Sequence, residues 1–272
     1  MPRVLIIRPG PGDVRACLDF MDTKTTVRGK KVLVKPNLTT NMAADTGVTT
    51  HPYLISGVVE YLLESGAERV VLGEGCYGKV RPTYESLGFV RLADELGIEI
   101  VDFWEDEPVE LEVEDPLSRK SFGIARTVLD SDLIFNIPVM KIHGGESQVT
   151  LCAKNMMGCI ARDKSFMHQN FDSKIIDLLG TISPDLNIVD GIVGMEGQEI
   201  HGKAVGANVL VAGNDFVAVD SVCTRIMGFD SGEVRHVERA GEYGFGCADL
   251  DRIEIFGLDP KDVIRPFERA TC

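Results

Sequence analysis

The chain has 272 residues, 44% hydrophobic and 26% charged, and its 28 lysines and arginines face 42 aspartates and glutamates for a formal net charge of −14. That size suits one large α/β domain spanning 1–272, with sub-lobes at about 1–130 and 131–272 as the alternative division. The acidity excludes nucleic acid or an anionic membrane as the main partner, because both are bound through a basic face.

No apolar run approaches the roughly 18–20 residues a membrane helix needs. The start, Met1-Pro2-Arg3-Val4-Leu5-Ile6-Ile7-Arg8, is charged too soon for a signal peptide and reads as a first strand. The seven cysteines are odd in number and irregularly spaced, which points to free thiols in a reducing, cytoplasmic compartment.

In chain order the pattern predicts a strand at 4–8, a helix at 12–21, a strand at 31–35 and a helix at 52–65. The start of that second helix is marked by Thr49-Thr50-His51-Pro52, a capping hydroxyl beside a first-turn proline. A strand at 69–72, a helix at 84–96 and a strand at 98–103 follow. This alternation predicts right-handed βαβ units of Rossmann-like type, in a mostly parallel sheet with helices on both faces. Residues 109–113 and 122–125 alternate instead and predict a short antiparallel excursion. Beyond it come a strand at 133–139, helices at 148–157 and 173–182, strands at 186–189 and 207–212, a helix at 216–227 and a last strand at 252–256.

Several of these apolar runs close on one charged residue: Lys35, Glu74, Lys141 and Asp190. In open α/β sheets ligands bind outside the carboxyl ends of the strands, so these four are the candidate catalytic residues. The loop Lys35-Pro36-Asn37-Leu38-Thr39-Thr40 and Thr50-His51 gathers a lysine, amides and hydroxyls before a helix start, which suits an anion. It is not a P-loop. The glycines around Glu74 let backbone pass close to a ligand or a neighbour. With no helix directly after them they are not read as a nucleotide-cofactor motif. Asn37, Thr50, His143, Lys154, Asn155 and Asp220 are the candidate ligand-binding residues. Asp220 earns its place as a carboxylate inside an apolar helix, which needs a partner. Gly191 to Gly202 is expected to form a glycine-rich mobile loop able to cover a site.

Val149, Cys152, Met156 and Cys159 fall on one stripe of the 148–157 helix, which makes them core residues on a plain reading. Gly158 is expected to end that helix and free Cys159 to turn toward a ligand. His143 and His168 bracket it.

The chain resembles domain-of-unknown-function family 362. The resemblance is carried by Val34-Lys35-Pro36-Asn37-Leu38, Thr50-His51-Pro52, Gly73-Glu74-Gly75, Asn136 through His143, Lys154-Asn155-Met156-Met157-Gly158, Val189-Asp190-Gly191 and Val217-Ala218-Val219-Asp220-Ser221. It covers nearly the whole chain. It implies a cytoplasmic, metal- or redox-related protein, served by a ferredoxin-like partner. The chain lacks a C-x-x-C-x-x-C run, so an iron–sulfur cluster would use scattered thiolates. A 4Fe-4S cluster shared across a homodimer would take Cys159 with Cys152 or Cys76, completed by His143 or His168. Two function classes therefore stand side by side. One is a cluster-binding protein. The other is an enzyme acting on a small phosphate or carboxylate with the strand-end lysines and acids. A binding scaffold without chemistry is the remaining alternative.

Overall fold

The computed structural model describes residues 1–75 and 80–271. Its first half runs β1 (Arg3–Ile7), α1 (Asp13–Phe20), α2 (Thr23–Thr26), β2 (Lys31–Pro36), α3 (Pro52–Glu64), β3 (Arg69–Glu74), α4 (Val80–Ser86), α5 (Phe89–Leu96) and β4 (Glu99–Asp102). A hairpin of β5 (Pro108–Glu112) and β6 (Ser121–Ala125) follows, then α6 (Arg126–Leu129). The second half runs β7 (Leu133–Ile137), β8 (Val139–Ile142), β9 (Val149–Thr150), α7 (Cys152–Asn155), α8 (Phe171–Leu179), β10 (Leu186–Glu196), β11 (Lys203–Val205), β12 (Val209–Gly213), α9 (Phe216–Ile226), α10 (Arg235–Glu242), β13 (Glu254–Gly257) and α11 (Pro260–Val263).

The central sheet has the order β13-β1-β12-β10-β7-β2-β3-β4, with β8, β9 and β11 attached around β10. From β10 to β4 every neighbouring pair is parallel, whereas β12 is antiparallel to both β1 and β10. The β5–β6 hairpin is a separate antiparallel pair. The expected mostly parallel α/β sheet with a small antiparallel excursion is therefore the observed fold.

Strand residues alternate between two cores because successive side chains point to opposite faces. Val32, Val34, Val70 and Leu72 pack with α1 and α3 on one side. Leu33, Val71, Val189 and Val211 pack with α7 to α10 on the other. Both faces are covered, which is why the strands read as continuous apolar runs.

The expected 84–96 helix is two helices, α4 from Val80 and α5 from Phe89 after the left-handed Gly88. A helix does therefore begin soon after the glycines around Glu74. Three boundaries at the site differ for local reasons. The 133–139 strand breaks at Pro138, which has no N–H for a ladder, so Lys141 lies within a second strand, β8. The 148–157 helix is replaced by β9, whose Thr150 pairs with Lys141, by the single turn α7, and by a 3-10 turn over Met156–Cys159. The strand at 186–189 continues to Glu196 instead of ending at Asp190. Its glycines keep it in the sheet: a Cβ at Gly191 would stand 2.9 Å from the Val209 carbonyl, and one at Gly194 would collide with the Met140 carbonyl. Only the tip, residues 197–202, remains as loop.

Candidate functional site

The carboxyl ends of β2 and β3 bring Lys35 and Glu74 into a buried ion pair of 2.8 Å. Lys35 Nζ also donates to the Pro36 carbonyl at 3.0 Å. Glu74 accepts from the Gly75 and Leu38 amides at 2.8 and 3.3 Å. Every charged atom thus has a hydrogen-bond partner, the condition under which such a pair is tolerated away from water. Gly158 closes the pair from above. A Cβ there would stand 2.5 Å from Lys35 Nζ and collide with Glu74 Oε1.

Lys141 is equally buried but has no carboxylate in salt-bridge range among the described residues. Its Nζ donates to Asn37 Oδ1 at 2.6 Å, the Val48 carbonyl at 2.9 Å and Thr39 Oγ1 at 3.1 Å. Burial, with Lys154 nearby, pulls its pKa from 10.5 to about 7. Asn37 is itself the end of a chain of amides. Asn187 accepts from Asn136 at 3.1 Å, Asn136 from Asn155 at 2.7 Å, and Asn155 from Asn37 at 2.8 Å. Each amide spends its N–H on the next oxygen, so the chain fixes Asn37 with its carbonyl oxygen toward Lys141. Thr50 supports this end, accepting from the Asn37 amide at 2.8 Å and donating to the Ile137 carbonyl at 2.7 Å. The cap residue of α3 is consequently His51 and not a threonine.

Asp220, the carboxylate within α9, is satisfied by the open end of α7. Its oxygens accept the Cys152 and Ala153 amides at 2.7 and 2.9 Å, two donors that a helix start leaves without intrahelical partners. Burial raises its pKa to about 7. It holds the one turn that carries Lys154 and Asn155. Asp220→Asn keeps one acceptor oxygen and strands one buried N–H, so we expect a stability loss of about 1–3 kcal/mol, measurable by urea unfolding.

These residues surround a cavity of about 300 Å³ whose wall includes Asn37, Glu74, Lys141, Lys154 and Asn155. Lys154 is the cation with a free face: it makes no hydrogen bond or ion pair among the described residues, and its Nζ lies 5.9 Å from the centre of the Phe171 ring. Burial lowers its pKa to about 8. Trp104, Met157 and Ile200 supply apolar wall, and the tip of the β10–β11 hairpin brings Glu199. The His143 ring lies parallel to His168, 5.6 Å between centroids. Its Nδ1 lies 2.6 Å from the Gly144 carbonyl, an acceptor only, so that nitrogen carries the proton. Nε2 faces Glu199 at 3.5 Å. Burial, then the charge of Lys154, pulls the His143 pKa below its ordinary value.

Asp190 is not on this wall. It accepts the His51 and Ile192 amides at 2.7 and 3.1 Å and ties β10 to the start of α3. Cys152 and Cys159 also lie off the cavity. Cys152 is buried near Asp220 and Cys223, and burial followed by the Asp220 charge pushes its thiol well above its ordinary value. Cys159 is buried behind the Lys35–Glu74 pair, its thiol pushed by burial up to about 12. A metal or cluster takes thiolates, and among the described residues no three His, Cys, Asp or Glu side chains converge on a metal position. Cys76 lies outside the described residues. Gly73, Gly75 and Gly78 stand at G-x-G-x-x-G spacing, yet the two described ones serve packing. A Cβ at Gly73 would meet the Phe103 ring at 2.5 Å, and one at Gly75 the Gly158 carbonyl at 2.6 Å.

Among the contributors not singled out as site residues from sequence are Trp104, Asn136, Asn187 and Glu199. Asn136 and Asn187 carried one usable signal, a polar residue at the same register of neighbouring apolar strands. Trp104 and Glu199 lie on loops with no such mark.

The strand ends of this α/β sheet converge on a lysine-lined cavity, at the sheet edge where open α/β folds bind their ligands. The sequence profile described as Domain of unknown function (DUF362) matches residues 32–225, and the chain belongs to that family. It is 28% identical over 211 residues to the thylakoid-associated protein sll1697 of Synechocystis, an alignment covering 74% of this chain and 64% of that relative's length. The structure of the lactate racemase apoprotein from Thermoanaerobacterium thermosaccharolyticum is similar with a TM-score of 0.53. It shares 11% identity, over 84% of this chain and 57% of that one, a likeness of fold. No helix among the described residues is long and apolar enough to cross a membrane.

Proposed function

We propose that the cavity binds a small carboxylate or phosphate and that the protein is an enzyme acting on that anion. The carrying observation is Lys154, a half-buried ammonium that faces a cavity with no hydrogen-bond acceptor of its own among the described residues. A desolvated cation without a partner is costly, and an anionic ligand removes that cost. On the cavity wall Lys141, Lys154 and Lys164 face Glu74, Asp163 and Glu199, an even balance in a protein whose total is −14. Apolar wall from Trp104, Met157 and Ile200 suits a carbon body attached to the anion. Lactate, the substrate class in the name of the fold neighbour, is a small carboxylate of this kind.

Lys141 is the proton-transferring group of this reading, because a lysine with a pKa of about 7 can hold or release a proton at neutral pH. The test uses the protein's single tryptophan, Trp104, which lines the cavity and reports occupancy by its fluorescence. Titration with pyruvate, lactate and inorganic phosphate should give saturable binding. Lys154 and Lys141 are protonated below about 8 and about 7. Affinity for pyruvate and lactate, whose charge does not change in this range, should therefore be highest near pH 6 and fall as pH rises to 9. Absence of saturable binding by all three, or binding that strengthens toward pH 9, would contradict the proposal.

A further inference from the structure

The two buried lysines of the site are built for different work. Lys35 has a carboxylate at 2.8 Å and lies under Gly158. Lys141 has neutral partners only, lines the cavity, and shares that cavity with a second lysine. Its three partners also fit an uncharged amine. Asn37 Oδ1 and the Val48 carbonyl accept its two N–H bonds, and the Thr39 hydroxyl, which here donates to Asn37 Oδ1 at 3.2 Å, can turn to donate to the lone pair instead. A lysine desolvated beside another cation is an activated nucleophile toward carbonyl carbon, and the pKa of about 7 agrees with this geometry.

We infer that Lys141 forms an imine with the keto group of a 2-oxo acid whose carboxylate is held by Lys154. This deepens, and rests on, the anion seat proposed above. The Nζ lone pair adds to the keto carbon while the carbonyl π pair moves to oxygen. That oxygen takes one amine proton to give a carbinolamine. The second amine proton then leaves with the oxygen as water, and a C=N bond remains. The sum is amine plus ketone giving imine plus water, with no oxidant, reductant or co-reactant. The Thr39 hydroxyl, 3.1 Å from Nζ, is placed to pass these protons. A 2-oxo acid is the matching class because its keto carbon adjoins the carboxylate, so one small molecule meets both lysines.

The experiment is reductive trapping of the whole chain. Trp104 fluorescence first establishes binding of pyruvate and phenylpyruvate, and of lactate, which has the carboxylate without the keto group. Borohydride is then added with each, and the protein is weighed intact and mapped by peptide mass spectrometry. The expected result is one reduced adduct per chain with either oxo acid, located at Lys141, none with lactate, and protection of Lys141 when lactate is in excess. Mapping on the unaltered protein decides the site even if Lys141→Arg fails to fold. Binding of the oxo acids without an adduct, or adducts at Lys154 or scattered over surface lysines, overturns the imine and leaves the anion seat standing. No binding of any of the three overturns both.

Discussion

Replacing Glu74 by leucine is expected to cost about 3–5 kcal/mol of folding stability, because it leaves the Lys35 ammonium charged and buried without its partner. The number is large for a physical reason visible in the site. Lys35 has no route to water: its side chain is fully buried and Gly158 packs against Nζ. The Leu38 and Gly75 amides lose their acceptor at the same time, and unsatisfied buried donors add to the cost. The double variant Lys35→Met with Glu74→Leu removes both charges and should recover most of the loss, since well-packed apolar replacements of buried pairs are often neutral. Urea unfolding of the two single variants and the double variant measures this as a cycle. A small cost for Glu74→Leu alone would mean that Lys35 reaches solvent in a way the structure does not allow.

Lys154→Met is expected to weaken anion binding by about 30- to 150-fold, the loss of about 2–3 kcal/mol from charge-assisted hydrogen bonds. Methionine keeps the length and apolar stem of lysine, so the contact with Phe171 survives and the turn α7 remains capped by Asp220. Folding should therefore change little, because the removed ammonium has no hydrogen-bond or ion-pair partner among the described residues and its cation–π contact with Phe171 is a long one. This separates Lys154 from Lys35, where charge removal acts on stability first. The measurement is Trp104 fluorescence titration with pyruvate or phosphate at pH 6.5, with unfolding in urea as the control. Unchanged affinity in a folded Lys154→Met variant would place the anion elsewhere.

The parallel sheet was legible because both faces are covered, and covered strands read as unbroken apolar runs. The residues closing β2 and β3 were legible for the same reason: a charge ending such a run marks the sheet edge where ligands bind. Lys141 was singled out with them, although the break at Pro138 puts it in a strand of its own. The limits came from long-range partners. The turn α7 exists because Asp220, 67 residues beyond Ala153, accepts its first amides. Local periodicity cannot report such a bond, and it suggested one long helix instead. Asp190 has the same pattern as Glu74 in sequence, yet its strand continues through Gly191 and its carboxylate is used on the His51 amide. The amide chain through Asn136 and Asn187 joins two strands, the turn α7 and the loop after β2, and only the fold shows that these side chains meet.

The most direct measurement is a crystal structure of the chain grown with the carboxylate that binds most tightly in the fluorescence series. The account predicts the carboxylate within hydrogen-bond distance of Lys154 Nζ, inside the cavity lined by Lys141, Trp104 and Asn155. A carboxylate bound at another surface, with Lys154 still unpartnered, would contradict it.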